Sequence, residues 1–483
     1  MRKKITCIAA FFASVTLGAA PAVESPIDRT KNVIEGAQHL GNSFRKLSSL
    51  KRWGNSRFVV VHFGDSHIQG DYFSGMIRRN LHETFGDGGE GILFPYSLCK
   101  SFGPRTLTSG STGVWTWATL LKNPEQIDVG VTGYTLRTKD STATLTFNYT
   151  PEDSSYRFEE VSFWYSGTNA TVLLKNPAAG VSMIRDTTVH GHGMNRMVIH
   201  GYKSGTNISF RLKPSGKKSG FDFSFFGISF DRSDGVQYNR CGVVGATFLH
   251  LTEEQLQGVV VHQLKELHPD LIIYSYGSNE SYNQNLDMRL YTLAVDAYIG
   301  SIRKEFPSAE VVITSPPDTR SGGRFPKNTQ AITDSLRAIC TKQHCAFWDM
   351  RAVMGGDNSI HYWLNNGLAR KDKLHFTKAG YELQGNLFSQ ALLQAYNTDR
   401  DSSSVVAKDK LDAAVEEQLA KLKTGATAVA PIASGEKTHT VAKGETLSSI
   451  ARANNVTVDQ LCEWNNMKKT DVLKIGQKLV IKK

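Results

Sequence analysis

The chain has 483 residues, 40% hydrophobic and 21% charged, which is typical of a globular protein of two to three domains and excludes a disordered chain. Lysine and arginine outnumber aspartate and glutamate by 56 to 45, giving a formal net charge of +11. No dense Lys/Arg run or recognition motif accompanies this charge, so we expect no nucleic-acid partner; the charge fits either contact with an anionic polymer or an ordinary solvated surface.

The first 22 residues have the pattern of a secretory signal peptide. Basic residues 2–4 precede an apolar run over 5–20, and small residues at 20–22 suit cleavage. The apolar run is short for a membrane span, and Cys7 lies ahead of it, unlike a lipidated cysteine. We therefore expect a periplasmic or secreted protein with no stable membrane span after cleavage.

An apolar run over 59–63 predicts a strand that is buried on both faces. Gly64 permits a sharp turn directly after it, which would place Ser66 at the carboxyl end of the strand. Ligands bind outside these strand ends in open α/β sheets, so the position suits a nucleophile. Taken alone, Gly-Asp-Ser fits an ordinary loop equally well.

Two stretches, 23–100 and 233–397, alternate apolar strands with helical patterns and predict one discontinuous α/β domain with a doubly wound parallel sheet. The helical patterns are at 74–85, 252–266, 291–306 and 378–396. Between the two stretches, residues 101–232 show short alternating runs separated by Gly, Pro, Asn and Ser, which predict an inserted β-sandwich. Those runs are 143–147, 161–165, 197–200 and 221–225.

Histidines 190, 192 and 200 cluster in this insert without an adjacent carboxylate set. A structural role is therefore favoured over a metal site, and the sequence predicts no metal and no cofactor.

Two further strands end in residues that can donate hydrogen bonds. The strand at 238–247 reaches Gly245, and the strand at 271–276 is followed by Asn279. A glycine N–H, an asparagine side chain and the N–H of the nucleophile together form a set that can stabilise a developing oxyanion.

Asp372 and His375 share one short loop just before the helical pattern at 378–396. A serine nucleophile needs an adjacent base oriented by a third group, and His375 with Asp372 can supply both. The alternative for this loop, taken by itself, is an ordinary helix start at Thr377.

Loss of Cys7 with the leader would leave five cysteines, which cannot all pair. Cys340 and Cys345 are close enough in sequence to bridge a turn, so a disulfide and two free thiols both fit the pattern.

The C-terminal part begins with a polar stretch over 398–437, which predicts a linker containing one lone helix at 411–423. Residues 438–483 then read as strand, helix, helix, strand. Three segments stand out in this region: Gly-Glu-Thr-Leu at 444–447, Trp-Asn-Asn at 464–466 and Gly-Gln-Lys-Leu at 476–479.

The blocks containing Ser66, Gly245, Asn279 and His375 resemble those of the SGNH (GDSL-type) hydrolases, with Asp372 in the Asp-x-x-His position. The segment Gly-Asp-Ser-His-Ile-Gln at 64–69 and the glycine-rich stretch at 85–95 are similar to bacterial peptidoglycan O-acetylesterases. The resemblance implies a catalytic triad of Ser66, Asp372 and His375, and an oxyanion hole of Ser66, Gly245 and Asn279. His67 and Glu280 depart from the wider family pattern, which leaves the substrate open.

Residues 438–483 resemble a complete LysM module, a βααβ fold that binds glycans containing N-acetylglucosamine. The resemblance implies a glycan groove between two loops, formed by Gly444, Glu445, Thr446, Asn465 and Asn466. Related esterases also carry β domains that bind carbohydrate. In the insert, candidate sugar-stacking residues are Trp115, Trp117, Trp164 and Tyr165, with core packing and bracing of the hydrolase as the alternative.

The combined expectation is a cell-wall-associated serine esterase that removes O-acetyl groups from peptidoglycan. Alternatives are an O-acetylesterase for another polysaccharide such as xylan or capsule, an O-acetyltransferase, and a peptidoglycan-binding structural protein.

Overall fold

The computed structural model describes residues 25–177, 180–185, 193–202, 207–216, 220–254, 258–323, 326–398, 405–423, 437–442, 445–454, 456–465, 467, 471, 473 and 476–481. The predicted signal peptide at 1–22 lies outside these residues. The chain divides into two compact units, with the boundary between Lys423 and Thr424. No helix within the described ranges is both long and apolar enough to cross a membrane.

The helices of the first unit are α1 Gly41–Trp53, α2 Ser66–Gln69, α3 Phe73–Phe85, α4 Phe248–Glu254, α5 Gly258–Leu267, α6 Ser278–Ser281, α7 Met288–Glu305, α8 Thr329–Lys342, α9 Met350–Met354, α10 Ser359–Asn365, α11 Lys378–Thr398 and α12 Asp409–Lys423. Its strands are β1 Ile34–Glu35, β2 Arg57–Gly64, β3 Asp87–Gly89, β4 Leu107–Thr112, β5 Thr116–Thr119, β6 Tyr134–Thr138, β7 Thr144–Tyr149, β8 Glu160–Thr168, β9 Ala170–Leu174, β10 Ser182–Arg185, β11 Met194–His200, β12 Asn207–Pro214, β13 Asp222–Asp231, β14 Gly235–Gly242, β15 Leu271–Ser275, β16 Glu310–Thr314 and β17 Ala346–Trp348.

One large mixed sheet runs through the first unit. Among the described residues it has 13 strands. Eleven follow the path β1-β17-β16-β15-β2-β14-β3-β13-β8-β11-β10, and the other two lie off it, since β6 pairs with β13 and β5 pairs with β6. The strands from β17 to β3 are parallel to one another, and β2 lies between β14 and β15. The predicted α/β class with a parallel sheet is confirmed.

Alternate residues of β2 enter two separate cores, as expected for a sheet covered on both faces. Val59, Val61 and Phe63 join the core on one face, whereas Phe58 and Val60 join the core on the other. Because β2 is covered on both sides, its carboxyl end at Gly64 is where a side chain can reach the surface.

The inserted segment forms two facing sheets, but one of them is continuous with the parallel sheet. β13 pairs antiparallel with both β3 and β8, so the hydrolase sheet passes directly into the insert. The second sheet, β4-β7-β12-β9, packs over it through aromatic rings; Phe147, for example, lies 5.4 Å from Phe225 between ring centroids. The sandwich therefore shares its core with the α/β layer, whereas the sequence prediction treated 101–232 as a separate domain.

Helix α12 corresponds to the lone helix predicted at 411–423, but it is packed against the first unit and is not a free part of the linker predicted at 398–437. It packs against α11, with Val415 fully buried and Leu419 and Leu422 largely buried in the same core. Gln390 of α11 donates a hydrogen bond to Asp412 at 2.7 Å. The first compact unit thus extends through Lys423 and does not end at 397. The reason is that three apolar residues on one face of α12 are buried against the core of this unit.

The second unit contains β18 Lys437–Thr440, α13 Leu447–Ala453, α14 Val458–Asn465 and β19 Lys478–Ile481. The two strands pair antiparallel, and the helices cover them with a small apolar core that includes Ile450, Leu461 and Leu479. This is the βααβ arrangement predicted from the sequence.

Candidate active site

Ser66 stands at the carboxyl end of the central strand β2. Asp65 caps α2 by accepting a hydrogen bond from the His67 N–H, so Ser66 is the first residue of the helix. The turn requires glycine at position 64, since a Cβ there would lie 2.1 Å from Ile68 Cγ1 and 2.9 Å from the Ser275 carbonyl oxygen. This close approach holds the serine at the sheet edge.

The structure brings Ser66, His375 and Asp372 together. Ser66 Oγ lies 3.1 Å from His375 Nε2, although the two residues are 309 positions apart. His375 Nδ1 lies 2.9 Å from Asp372 Oδ2. The loop holds this pair in place because Asp372 Oδ1 also accepts the backbone N–H groups of Leu374 and His375, each at 3.0 Å. A serine, a base and an orienting carboxylate are thus aligned for nucleophilic catalysis.

The Asp372 carboxylate is kept ionised by its neighbours. Partial burial by itself raises its pKa, but the hydrogen bonds from the His375 ring, the His375 N–H and the Leu374 N–H outweigh this and leave the pKa below its ordinary value. A charged Asp372 favours the tautomer of His375 with its proton on Nδ1, which leaves Nε2 free to accept the serine proton.

The ring of His67 packs beside the ring of His375. Its ring centroid lies 5.6 Å from that of His375, and its Nδ1 contacts the Tyr381 hydroxyl at 2.8 Å. Burial lowers the pKa of His67 to about 3, and the neighbouring His375 adds to the effect. His67 is therefore neutral at physiological pH and contributes no positive charge beside the base.

The two predicted oxyanion residues lie on the loops that flank Ser66. Gly245 follows β14 with a left-handed φ of 81°, in a loop anchored where the Val243 N–H donates to the Gly64 carbonyl at 3.0 Å. Asn279 lies in α6 after β15, and its Nδ2 donates to the Ala246 carbonyl at 2.9 Å and to Asp65 Oδ2 at 3.3 Å. Asn279 thereby joins the serine turn to the Gly245 loop.

Two buried carboxyl groups beneath the site have raised pKa values. Burial raises the pKa of Asp65 to about 8, with a further contribution from the nearby Glu280. Burial also raises the pKa of Glu280 to about 7, although Glu280 accepts the N–H groups of Phe248 and Gly277. Removal from water disfavours the charged form of a carboxyl group, which is why both pKa values lie above their ordinary range.

Gln69 also lies at this site, although the sequence pattern predicted no role for it. It is 1% exposed, and its side-chain oxygen accepts the N–H of Val244, the residue before Gly245, at 2.9 Å. The one signal in the sequence was the amide residue at the end of the Gly-Asp-Ser-His-Ile-Gln block.

The described residues of the predicted LysM groove are engaged in the fold of that unit. Glu445 Oε2 accepts the Ala442 N–H and contacts His439 Nε2, both at 2.7 Å. Thr446 caps α13 by accepting the Ser449 N–H at 3.1 Å. Asn465 donates to the Val480 carbonyl at 3.0 Å and accepts its N–H at 2.7 Å. Gly444 and Asn466 lie outside the described residues.

The aromatic candidates of the insert divide by burial. Trp164 and Tyr165 are 2% and 7% exposed and pack in the core, which is the alternative that the sequence left open. Trp115 and Trp117 are only partly buried, and Trp117 has the Lys100 ammonium 5.7 Å from its ring centroid. Among the clustered histidines, His200 contacts the Glu159 carbonyl, whereas His190 and His192 lie outside the described residues.

Cys340 and Cys345 are free, buried thiols, which is one of the two alternatives that the sequence left open. Cys340 Sγ lies 3.5 Å from the Ala346 carbonyl and Cys345 Sγ lies 3.6 Å from the Gln343 carbonyl. Each sulfur thus points to a different backbone oxygen rather than to the other sulfur. Burial raises the pKa of Cys345 to about 11, which keeps this thiol protonated.

Comparison with known proteins identifies both units. Residues 225–383 match the GDSL-like Lipase/Acylhydrolase family, and residues 439–482 match the LysM domain. The chain carries a GDSL-like hydrolase domain and a LysM domain. The GDSL match includes Gly245, Asn279, Asp372 and His375 and begins after Ser66.

A solved structure of a peptidoglycan O-acetylesterase in action superposes on 77% of this chain and 99% of its own, with 20% identity and a TM-score of 0.57. At this identity the likeness concerns the fold alone. A lipase/acylhydrolase from Enterococcus faecalis shares 21% identity over 32% of this chain and 75% of its own, with a TM-score of 0.26, too low to bear on the fold.

The LysM domain has a curated relative. N-acetylmuramoyl-L-alanine amidase XlyA of Bacillus subtilis (strain 168) is 49% identical over 47 residues, which is 10% of this chain and 16% of the amidase. The chain thus spans about a sixth of that relative, and the likeness concerns the LysM domain alone.

Proposed function

We propose that this protein is a serine esterase that removes O-acetyl groups from peptidoglycan and is held on its polymer by the LysM domain. The observation that carries the proposal is the continuous contact from Ser66 through His375 to Asp372, at 3.1 Å and 2.9 Å, in a GDSL-like hydrolase domain. The peptidoglycan O-acetylesterase fold and the LysM domain support the choice of polymer.

Acylation starts when Ser66 Oγ attacks the acetyl carbonyl carbon while His375 Nε2 takes the hydroxyl proton. Asp372 stabilises the imidazolium that results. The carbonyl oxygen becomes negative and is stabilised by the N–H groups of Ser66 and Gly245 and by the Asn279 amide, where one such donor is typically worth about 3 kcal/mol. The long 3.3 Å bond from Asn279 to Asp65 is the one that we expect the amide to exchange for the oxyanion.

The tetrahedral intermediate then collapses. Its bond to the sugar oxygen breaks, the sugar oxygen takes the proton from His375, and an acetyl-enzyme remains on Ser66. Water then attacks this ester while His375 Nε2 takes its proton. The bond from the acetyl carbon to Ser66 Oγ breaks, His375 returns the proton to Oγ, and acetate is released. Apart from substrate and water, these steps use groups that this chain supplies.

The LysM domain acts by keeping the catalytic domain close to insoluble substrate, which raises the effective concentration of acetyl esters. An extracellular, cell-wall-associated location follows from this role, and the predicted signal peptide would make the protein periplasmic or secreted.

The test is acetate release from O-acetylated peptidoglycan, from the same polymer after chemical deacetylation, and from acetylated xylan, by wild type and S66A. We expect rapid release from the first polymer alone, and only when Ser66 is present. Faster release from xylan would favour another polysaccharide, and acetyl transfer to an added alcohol without free acetate would favour a transferase. Binding to peptidoglycan without any Ser66-dependent cleavage would indicate a structural protein.

A further inference from the structure

Gln69 lies where the serine helix, the oxyanion loop and the inserted β segment meet. Its carbonyl oxygen accepts the Val244 N–H at 2.9 Å and the Tyr134 hydroxyl at 3.0 Å. Its amide nitrogen donates to Ser101 Oγ at 2.8 Å and to the Phe102 carbonyl at 2.6 Å. All four hydrogen bonds that one amide side chain can make are therefore satisfied within a residue that is 1% exposed.

The chemistry of these partners requires an amide. The Val244 N–H can only donate, and the Phe102 carbonyl can only accept, so position 69 must present an acceptor and a donor on one planar group. A carboxylate would leave the Phe102 carbonyl without its donor, and an apolar side chain would leave both groups without these partners.

The backbone packing around Gln69 is equally close. A Cβ at Gly242, the last residue of β14, would lie 2.3 Å from the Gln69 nitrogen, so the serine helix rests directly on the strand that leads to the oxyanion loop. The insert reaches the same loop. A Cβ at Gly133 would lie 2.2 Å from Val243 Cγ2, and one at Gly245 would lie 3.3 Å from Leu121 Cδ2.

We propose that Gln69 is a positioning residue that, with Tyr134 of the insert, fixes the Val243–Gly245 loop so that the Gly245 N–H faces the acetyl oxyanion. The inserted β segment is accordingly part of the catalytic apparatus and not only a glycan-binding attachment. This inference rests on the proposed esterase chemistry, because only a developing oxyanion makes the aim of that N–H matter for rate.

The experiment compares steady-state kinetics on a soluble aryl acetate, which removes any effect of glycan binding. Q69M retains the length of the side chain but has no amide. Y134F removes only the hydroxyl group that donates a hydrogen bond to Gln69. Q390M is the matched control, since Gln390 is a largely buried amide that bonds Asn32 and Asp412, away from the serine turn.

We expect Q69M to lower kcat by about 10- to 100-fold, less than the full loss of one oxyanion donor, and Y134F to lower kcat several-fold. KM should stay within about threefold and the pH profile of kcat should keep its shape, because Ser66, His375 and Asp372 are untouched. Q390M should leave kcat within about twofold of wild type while lowering the melting temperature by an amount similar to Q69M.

A folded Q69M with kcat within threefold of wild type, or a kcat loss that Q390M reproduces, would overturn the proposal. Should Q69M not fold, an unchanged kcat in Y134F would do the same, and a several-fold lower kcat would support it. Failure of the esterase proposal is separate, since wild type would then show no aryl acetate hydrolysis that S66A abolishes.

Discussion

Replacing Asp372 by asparagine should disable catalysis while leaving the loop folded. The new amide would retain an oxygen to accept the Leu374 and His375 N–H groups, which Asp372 Oδ1 now binds at 3.0 Å each. These two donors oppose rotation of the amide, so its NH₂ group faces His375 Nδ1 in place of Oδ2. His375 must then carry its proton on Nε2, and it cannot accept the proton of Ser66 at 3.1 Å.

The expected loss in kcat is about 10³- to 10⁴-fold, which corresponds to about 4–5 kcal/mol in the activation free energy. The assay is initial-rate hydrolysis of a soluble aryl acetate, with the melting temperature recorded in parallel. D334N is a matched control, because Asp334 is an exposed helical carboxylate that contacts Arg337. A D372N enzyme with kcat within tenfold of wild type would refute the role assigned to Asp372.

Three further changes test other parts of the account. Glu280 has a native pKa of about 7 against an ordinary 4.5, so the wild type loses stability as pH rises from 5 to 8, and E280Q does not. The free energy of unfolding of E280Q, measured by urea titration over this range, should therefore gain up to about 3 kcal/mol relative to wild type. Parallel curves for the two proteins would contradict the raised pKa of Glu280. A chain ending at Lys423 should lose about tenfold or more of its acetate release from insoluble wall but keep its rate on a soluble ester, whereas equal loss on both would remove the tethering role of LysM. V415A should lower the free energy of unfolding of the first unit by about 1–3 kcal/mol, because Val415 is fully buried. V405A, at a residue 49% exposed, should change it by less than about 0.5 kcal/mol, and equal effects of the two substitutions would contradict the packing of α12 on α11.

The α/β class could be predicted because apolar strands alternate with helical patterns over 23–100 and 233–397. The site could be predicted because the strands at 59–63, 238–247 and 271–276 each lead to a residue that can act as a nucleophile or a hydrogen-bond donor. Parallel strands present these ends at one edge of the sheet, so Ser66, Gly245 and Asn279 are brought close to one another. The helix predicted at 378–396 is α11, Lys378–Thr398, and the predicted 252–266 corresponds to the two helices α4 and α5.

What the sequence could not supply depends on contacts between distant segments. The bond from Val244 to Gln69 joins residues 175 positions apart, and no local pattern records it. The direction of the Cys340 and Cys345 sulfurs is likewise set by packing and not by spacing. Helix α12 is different, because Val415, Leu419 and Leu422 have the i, i+4, i+7 spacing of a buried helix face and could have predicted its docking.

Nucleophilic catalysis by Ser66 requires that the acetyl group be attached to this residue during turnover, and it can be located there by mass spectrometry. Wild type and S66A are mixed with an aryl acetate, quenched in acid within milliseconds and analysed by peptide mass spectrometry, with acetate release followed in parallel. We expect an acetyl group on the peptide that contains Ser66 and only background acetate release by S66A. Acetylation at a different residue, or release by S66A at the wild-type rate, would contradict nucleophilic catalysis by Ser66.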